Sequence, residues 1–119
     1  MMNRYPLIFF LLASLLYVNT LEHEFVLDDK IVITHNEFTK KGLNGLGDSF
    51  FSDSMTGFFG KDKKLVAGGR YRPLTMAVHS AQYEFFGNNP FPYHLMNILL
   101  YGLIGALVFL VLKALFPEP

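Results

Sequence analysis

Asp28 and Asp29 close the stretch Phe25-Val26-Leu27-Asp28-Asp29, a few residues beyond a greasy N-terminal segment. Adjacent acids in an ordinary soluble loop say little. Beside a bilayer, partial desolvation penalises the charged form of a carboxylate and suits it to take a proton from a hydroxyl. Two cations follow in Gly69-Arg70-Tyr71-Arg72-Pro73-Leu74. Guanidinium groups pair with phosphate oxygens through parallel hydrogen bonds, so Arg70 and Arg72 are candidates for holding a phosphate. His94 and Asn97 stand one helical turn apart where a second greasy segment begins, and form a candidate substrate-site pair. Each has a plainer alternative. The acids can cap a helix starting at Lys30, and the arginines can pair with loop acids or lipid head groups. His94 and Asn97 can bond to neighbouring helices.

The elements that position these residues are membrane-like at both ends. The chain has 119 residues, 51% hydrophobic and only 17% charged, with thirteen Phe and no Trp. That is more apolar and less charged than an ordinary soluble domain. Tyr5 to about Leu21 reads as a first span near the short end of what crosses a bilayer. A cleaved signal peptide is its rival, with Arg4 as the positive n-region. No small-x-small site follows, since the next residues are Tyr17, Val18, Asn19, Thr20 and Leu21. Residues 91–116 form a second hydrophobic segment with an uncharged core from Leu95 to Leu112. Gly102 and Gly105 permit close approach of another helix, without the four-residue GxxxG spacing. The expected fold is an α-helical membrane protein: two transmembrane helices joined by a long extracytoplasmic loop with short interfacial helices. Its divisions are 1–21, 22–90, 91–116 and a tail at 117–119.

Within the loop, Ile31, Val32 and Ile33 suit either a short strand or a helical turn. Leu43–Phe51 and Ser54–Phe59 read as short helices or turns with aromatic pairs at the membrane interface. Lys61-Asp62-Lys63-Lys64 reads as a solvated tip. Pro73 opens a clear helix, because proline suits a first turn. Leu74, Val78, Ala81 and Phe85 then make one apolar stripe, which fits an interfacial helix, and Gly87-Asn88-Asn89-Pro90 ends it. His79 lies off that stripe and reads as exposed. Net formal charge is zero, so no field steers the chain to nucleic acid. Without cysteine there are no disulfides or thiolate metal sites, and no histidine spacing suggests zinc. Eight of the ten Lys and Arg lie in the loop. A positive-inside count would keep the loop cytoplasmic, but that rule weakens in loops near 60 residues.

In one order along the chain come Phe25-Val26-Leu27-Asp28-Asp29, Ile33 with Asn36, and Gly69-Arg70-Tyr71-Arg72-Pro73-Leu74. Phe86-Gly87-Asn88-Asn89-Pro90 and Tyr93-His94-Leu95-Met96-Asn97-Ile98-Leu99-Leu100 follow. This order resembles the N-terminal region of GT-C glycosyltransferases that carry tetratricopeptide repeats, the transmembrane O-mannosyltransferase-like group and its bacterial relatives. The resemblance implies transfer of a sugar, a hexose such as mannose, from a polyprenyl-phosphate donor to a protein or glycan. It makes Asp28-Asp29 the essential acidic motif of the first extracytoplasmic loop, and so overrides the charge count. It implies an integral membrane location, in a bacterial inner membrane or the endoplasmic reticulum. It requires no cofactor in the chain and leaves a divalent metal unspecified.

Such transferases have many spans, so the chain is expected to be a fragment, inactive alone, whose partners are the bilayer, the lipid-linked donor and the missing C-terminal spans. Two helices are expected to leave the glycines of the second span partly uncovered. The competing reading is a small two-span membrane interaction protein with a partner-binding loop. A third is a secreted domain with a mature N-terminus near Thr20.

Overall fold

The computed structural model describes residues 4–60 and 71–116. Among them the structure is helical, with no strand. The chain divides into two compact units, one made of residues 1–23 and 90–119, the other of residues 24–89.

The first unit is a helical hairpin. α1 spans Tyr5–Leu15, a 3-10 turn spans Val18–Glu22, and α6 spans Pro90–Leu115. Both α helices have proline in their first turn, where no backbone N–H is needed. The two run antiparallel. Phe9 stacks on Phe109 with ring centroids 4.8 Å apart, and Tyr17 meets Tyr101 edge-on at 4.5 Å. Between these aromatic contacts, Gly102 faces Ser14 and Phe10, and Gly105 faces Ala13. Ile98, Gly102, Gly105 and Phe109 recur at helical spacing, so one stripe of α6, flanked by Tyr101, faces α1. α1 thus buries Gly102, while Gly105 stays partly exposed, as expected of a hairpin that covers only one side of its glycines.

α6 is long and apolar enough to cross a membrane, with a mean hydropathy of 2.5 over its most apolar window. Only 17% of that window is buried. A core helix of a soluble protein would be mostly enclosed. α1 is shorter than expected: its 11 residues rise about 16 Å, half of a hydrocarbon core. The remainder of the first segment tightens into the 3-10 turn.

The second unit is a cluster of short helices around one longer one. A π-helical turn spans Lys30–Thr34, α2 spans Glu37–Lys40, a 3-10 turn spans Gly42–Gly45, α3 spans Leu46–Phe51 and α4 spans Thr56–Phe59. α5 spans Pro73–Phe86. The first π turn, α2, α3 and the 3-10 turn all pack on α5. Gly87 ends α5 at φ 54°, and its N–H bonds to the Tyr83 carbonyl at 2.9 Å.

The bounds of α5 match the sequence expectation, and the apolar stripe read as that of an interfacial helix is not the face that packs on the protein. Met76, Ser80 and Gln82 are buried, whereas Leu74, Val78 and Phe85 are exposed. The stripe that periodicity identifies points outward. The core is correspondingly polar. Ile33 and Met76 share it with Asn36, Thr39, Ser49, Ser54 and Ser80.

Candidate functional site

The acid pair sits on a tight turn leading into the π-helical segment. Asp29 Oδ2 accepts the Val26 N–H at 3.1 Å. This bond ties the Asp29 carboxylate back to the backbone three residues earlier. The Asp29 side chain therefore closes the turn that presents its neighbour. Leu27, inside the turn between Val26 and Asp28, has φ 46°, a left-handed conformation that a bulky side chain rarely adopts. Asp28 is exposed and lines a cavity of about 50 Å³.

Arg72 lines the same cavity, with Ile31, Ser54, Thr75 and Met76. Two residues 44 positions apart in sequence, both singled out for their chemistry, thus border one space. Arg72 directly precedes Pro73, so its place is fixed by the start of α5. The approach to it is anchored by Tyr71, whose hydroxyl donates to the Phe50 carbonyl at 2.7 Å. Arg70, its companion in the sequence reading, lies outside the described residues, as do the Lys61–Lys64 charge run and the 117–119 tail.

The cavity wall is held by a side chain to which the sequence reading gave no role. The Asn36 amide donates to the Ile31 carbonyl at 3.1 Å and to the Ser54 carbonyl at 2.8 Å. Its oxygen accepts the Phe38 and Thr39 N–H groups, capping α2. Thr39 Oγ1 adds a bond to the Val32 carbonyl at 2.6 Å. Ile31, Val32 and Ser54 all line the cavity. Gly57 packs against the Asn36 amide with no room for a Cβ. Asn36 occurs among the motif letters of the sequence, but a lone buried amide has no periodicity to announce it.

His79 is half-buried on α5, not exposed. Burial lowers its pKa from the ordinary 6.5, opposed by a hydrogen bond with Gln82 and by the charge of Asp29. His94 belongs to the hairpin, where its Nε2 lies 3.0 Å from the His23 carbonyl. Asn97 is exposed on the same helix. The plainer alternative for His94, a bond to the neighbouring segment, is thus present. Among the described residues no group of three or more His, Asp or Glu side chains is placed to hold a metal ion.

No family model matches the chain, and no solved structure does. Two curated proteins do match. Over 110 residues, 90% of this chain, it is 36% identical to the protein O-mannosyl-transferase Tmtc1 of Drosophila melanogaster. Over 107 residues, 88% of this chain, it is 33% identical to the protein O-mannosyl-transferase tmtc2 of Xenopus laevis. The matched part is 12% of the length of each relative. Both names fall within the glycosyltransferase group that the order of sequence motifs resembles.

Proposed function

We propose that this chain is the N-terminal part of an integral-membrane glycosyltransferase that moves a hexose such as mannose from a polyprenyl-phosphate donor to a protein or glycan acceptor. The observation that carries this reading is the cavity bordered by both Asp28 and Arg72. It pairs a base with a phosphate-binding cation, the two charges that transfer from a lipid phosphate needs. In the proposed step, Asp28 takes the proton of the acceptor hydroxyl as its oxygen attacks C1 of the sugar. The bond from C1 to the phosphate oxygen breaks, its electron pair leaves with the polyprenyl phosphate, and Arg72 stabilises that charge. Asp29 serves as the positioning acid through its bond to Val26. In this scheme α1 and α6 both enter the bilayer and the loop unit lies outside the cytoplasm.

At about 50 Å³ the cavity is far below the roughly 300 Å³ at which ligand pockets begin, so the sugar and its lipid require walls supplied by other segments. The test is transfer of labelled mannose from polyprenyl-phosphate mannose by membranes containing the gene product that carries this segment. Asp28→Asn is expected to lower transfer about 100-fold or more at unchanged protein level. Full transfer by Asp28→Asn would leave the two-span interaction protein as the better reading.

A further inference from the structure

The cavity of the loop unit has one polar side chain that the proposed step leaves idle. Thr75 stands three residues after Arg72, and both line the cavity together with Asp28. The Met76 N–H bonds to the Arg72 carbonyl at 3.1 Å, which closes the first turn of α5. Side chains three residues apart on such a turn are neighbours. We propose that the Thr75 hydroxyl, beside the Arg72 guanidinium, is a second donor to the phosphate of the lipid-linked sugar. The assignment rests on the transferase reading and deepens it.

Three observations single out Thr75. The first is availability. A helical threonine commonly turns its hydroxyl back to the carbonyl four residues earlier. The Thr75 hydroxyl bonds neither to the Tyr71 carbonyl nor to any other group among the described residues. The Arg72 side chain likewise makes no ion pair among them. The second is exposure. Ser54 is the other hydroxyl residue of the cavity, but it is 4% exposed and lies in the wall that Asn36 braces. Thr75 is exposed, as are Asp28 and Arg72. The third is the setting. Ile31, Val32, Met55 and Met76 make the rest of the lining apolar. A donor against an apolar wall meets less competition from water, which strengthens its bond to a charged oxygen.

The chemistry has a place for such a donor. The phosphate of the lipid-linked sugar is a diester with one negative charge. When the bond from C1 breaks, its electron pair stays on the phosphate oxygen. The departing polyprenyl phosphate then carries a second charge, shared over three terminal oxygens. A guanidinium fork spans two of them. The third is left for Thr75, whose hydrogen bond strengthens as the charge grows while the threonine keeps its own proton.

The test uses membranes containing the gene product that carries this segment, with labelled polyprenyl-phosphate mannose as donor. Thr75→Val keeps the branched shape and loses the hydroxyl, at an exposed position where the protein level should hold. Its kcat and kcat/KM are expected to fall together, about 10- to 100-fold. Inhibition by added polyprenyl phosphate, the leaving product, should weaken about tenfold. Thr75→Ser should bring both back to within about threefold of the parent. Thr75→Ser as impaired as Thr75→Val would overturn the assignment, because shape and not the hydroxyl would then matter. A raised KM for the acceptor, with kcat and product inhibition unchanged, would overturn it by moving Thr75 to the acceptor side. Full transfer by Thr75→Val while Asp28→Asn is impaired would remove this assignment and leave the transferase reading standing. Full transfer by Asp28→Asn would remove that reading and this assignment with it. Thr75→Ala gives the same readouts if Thr75→Val lowers the protein level.

Discussion

Between α1 and α6 the contacts are rings and very small side chains: Phe9 on Phe109, Tyr17 on Tyr101, and Gly102 and Gly105 against Ser14 and Ala13. Inside the loop unit the contacts are amides, hydroxyls and carbonyls, with Asn36 at the centre. The hairpin closes by bringing backbones near, which is how helices associate where no water is expelled. The loop unit closes by satisfying polar groups that cannot reach solvent. Yet both keep most of their large apolar side chains on the outside, from Leu7 and Leu107 in the one to Phe51 and Leu74 in the other. Polar or small inside and large apolar outside is a poor arrangement in water and a sound one beside lipid.

The largest expected test of this contrast is Asn36→Ala. It removes the cap of α2 and leaves the Ile31 and Ser54 carbonyls without their donor. Two lost buried partners and a lost cap cost about 3–5 kcal/mol. Hydrogen exchange on the reconstituted chain should show the loop amides losing protection while the α1 and α6 amides keep theirs. Equal loss in both would mean that the units do not differ as described. A smaller effect, about 1–3 kcal/mol, is expected on the hairpin side from Gly102→Leu, whose side chain would push into Ser14 and Phe10. The chain lacks cysteine, so an Ala13→Cys/Gly105→Cys pair should cross-link cleanly, and adding Gly102→Leu should cut the yield. Unchanged cross-linking would show that the glycine seam is not what closes the hairpin.

The smallest effect is on pH. His79 has a lowered pKa in the folded loop, chiefly because burial disfavours its charged form. The unfolded chain then binds a proton more readily than the folded one, so its contribution to loop stability is present above the ordinary 6.5 and falls as pH drops below it. Protection of the loop amides should weaken from pH 7.5 to 5.5, and His79→Gln should flatten that dependence. A dependence that persists unaltered in His79→Gln would assign it to other groups.

The helix ends were legible because prolines and glycines set them locally. Pro73, Gly87 and Pro90 stand at the ends of α5 and α6 as backbone rules require. The apolar stripe of α5 was legible from its period of 3.6, and Leu74, Val78 and Phe85 of that stripe are exposed; that Met76 and Ser80 would anchor the opposite face was not legible. The first apolar segment is longer than the helix it forms, since hydropathy continues past Leu15 while the backbone tightens into the 3-10 turn. At the site, the chemistry of Asp28 and Arg72 was readable from residue type. Their shared cavity depends on Asn36, Thr39 and Tyr71, whose bonds connect residues up to 21 apart and leave no trace in spacing.

Because the π turn, α2, α3 and the 3-10 turn of the loop unit all rest on α5, the unit's order of assembly is constrained. Gly42, held at φ 60° beside Glu84, waits for a partner 42 residues downstream. During synthesis, residues 24–60 emerge before the surface they pack on exists, and α6 follows α5 after only three residues. The loop therefore acquires its core almost at the moment the long apolar helix leaves the ribosome. Any machinery that inserts that helix meets a loop unit that is only then beginning to close.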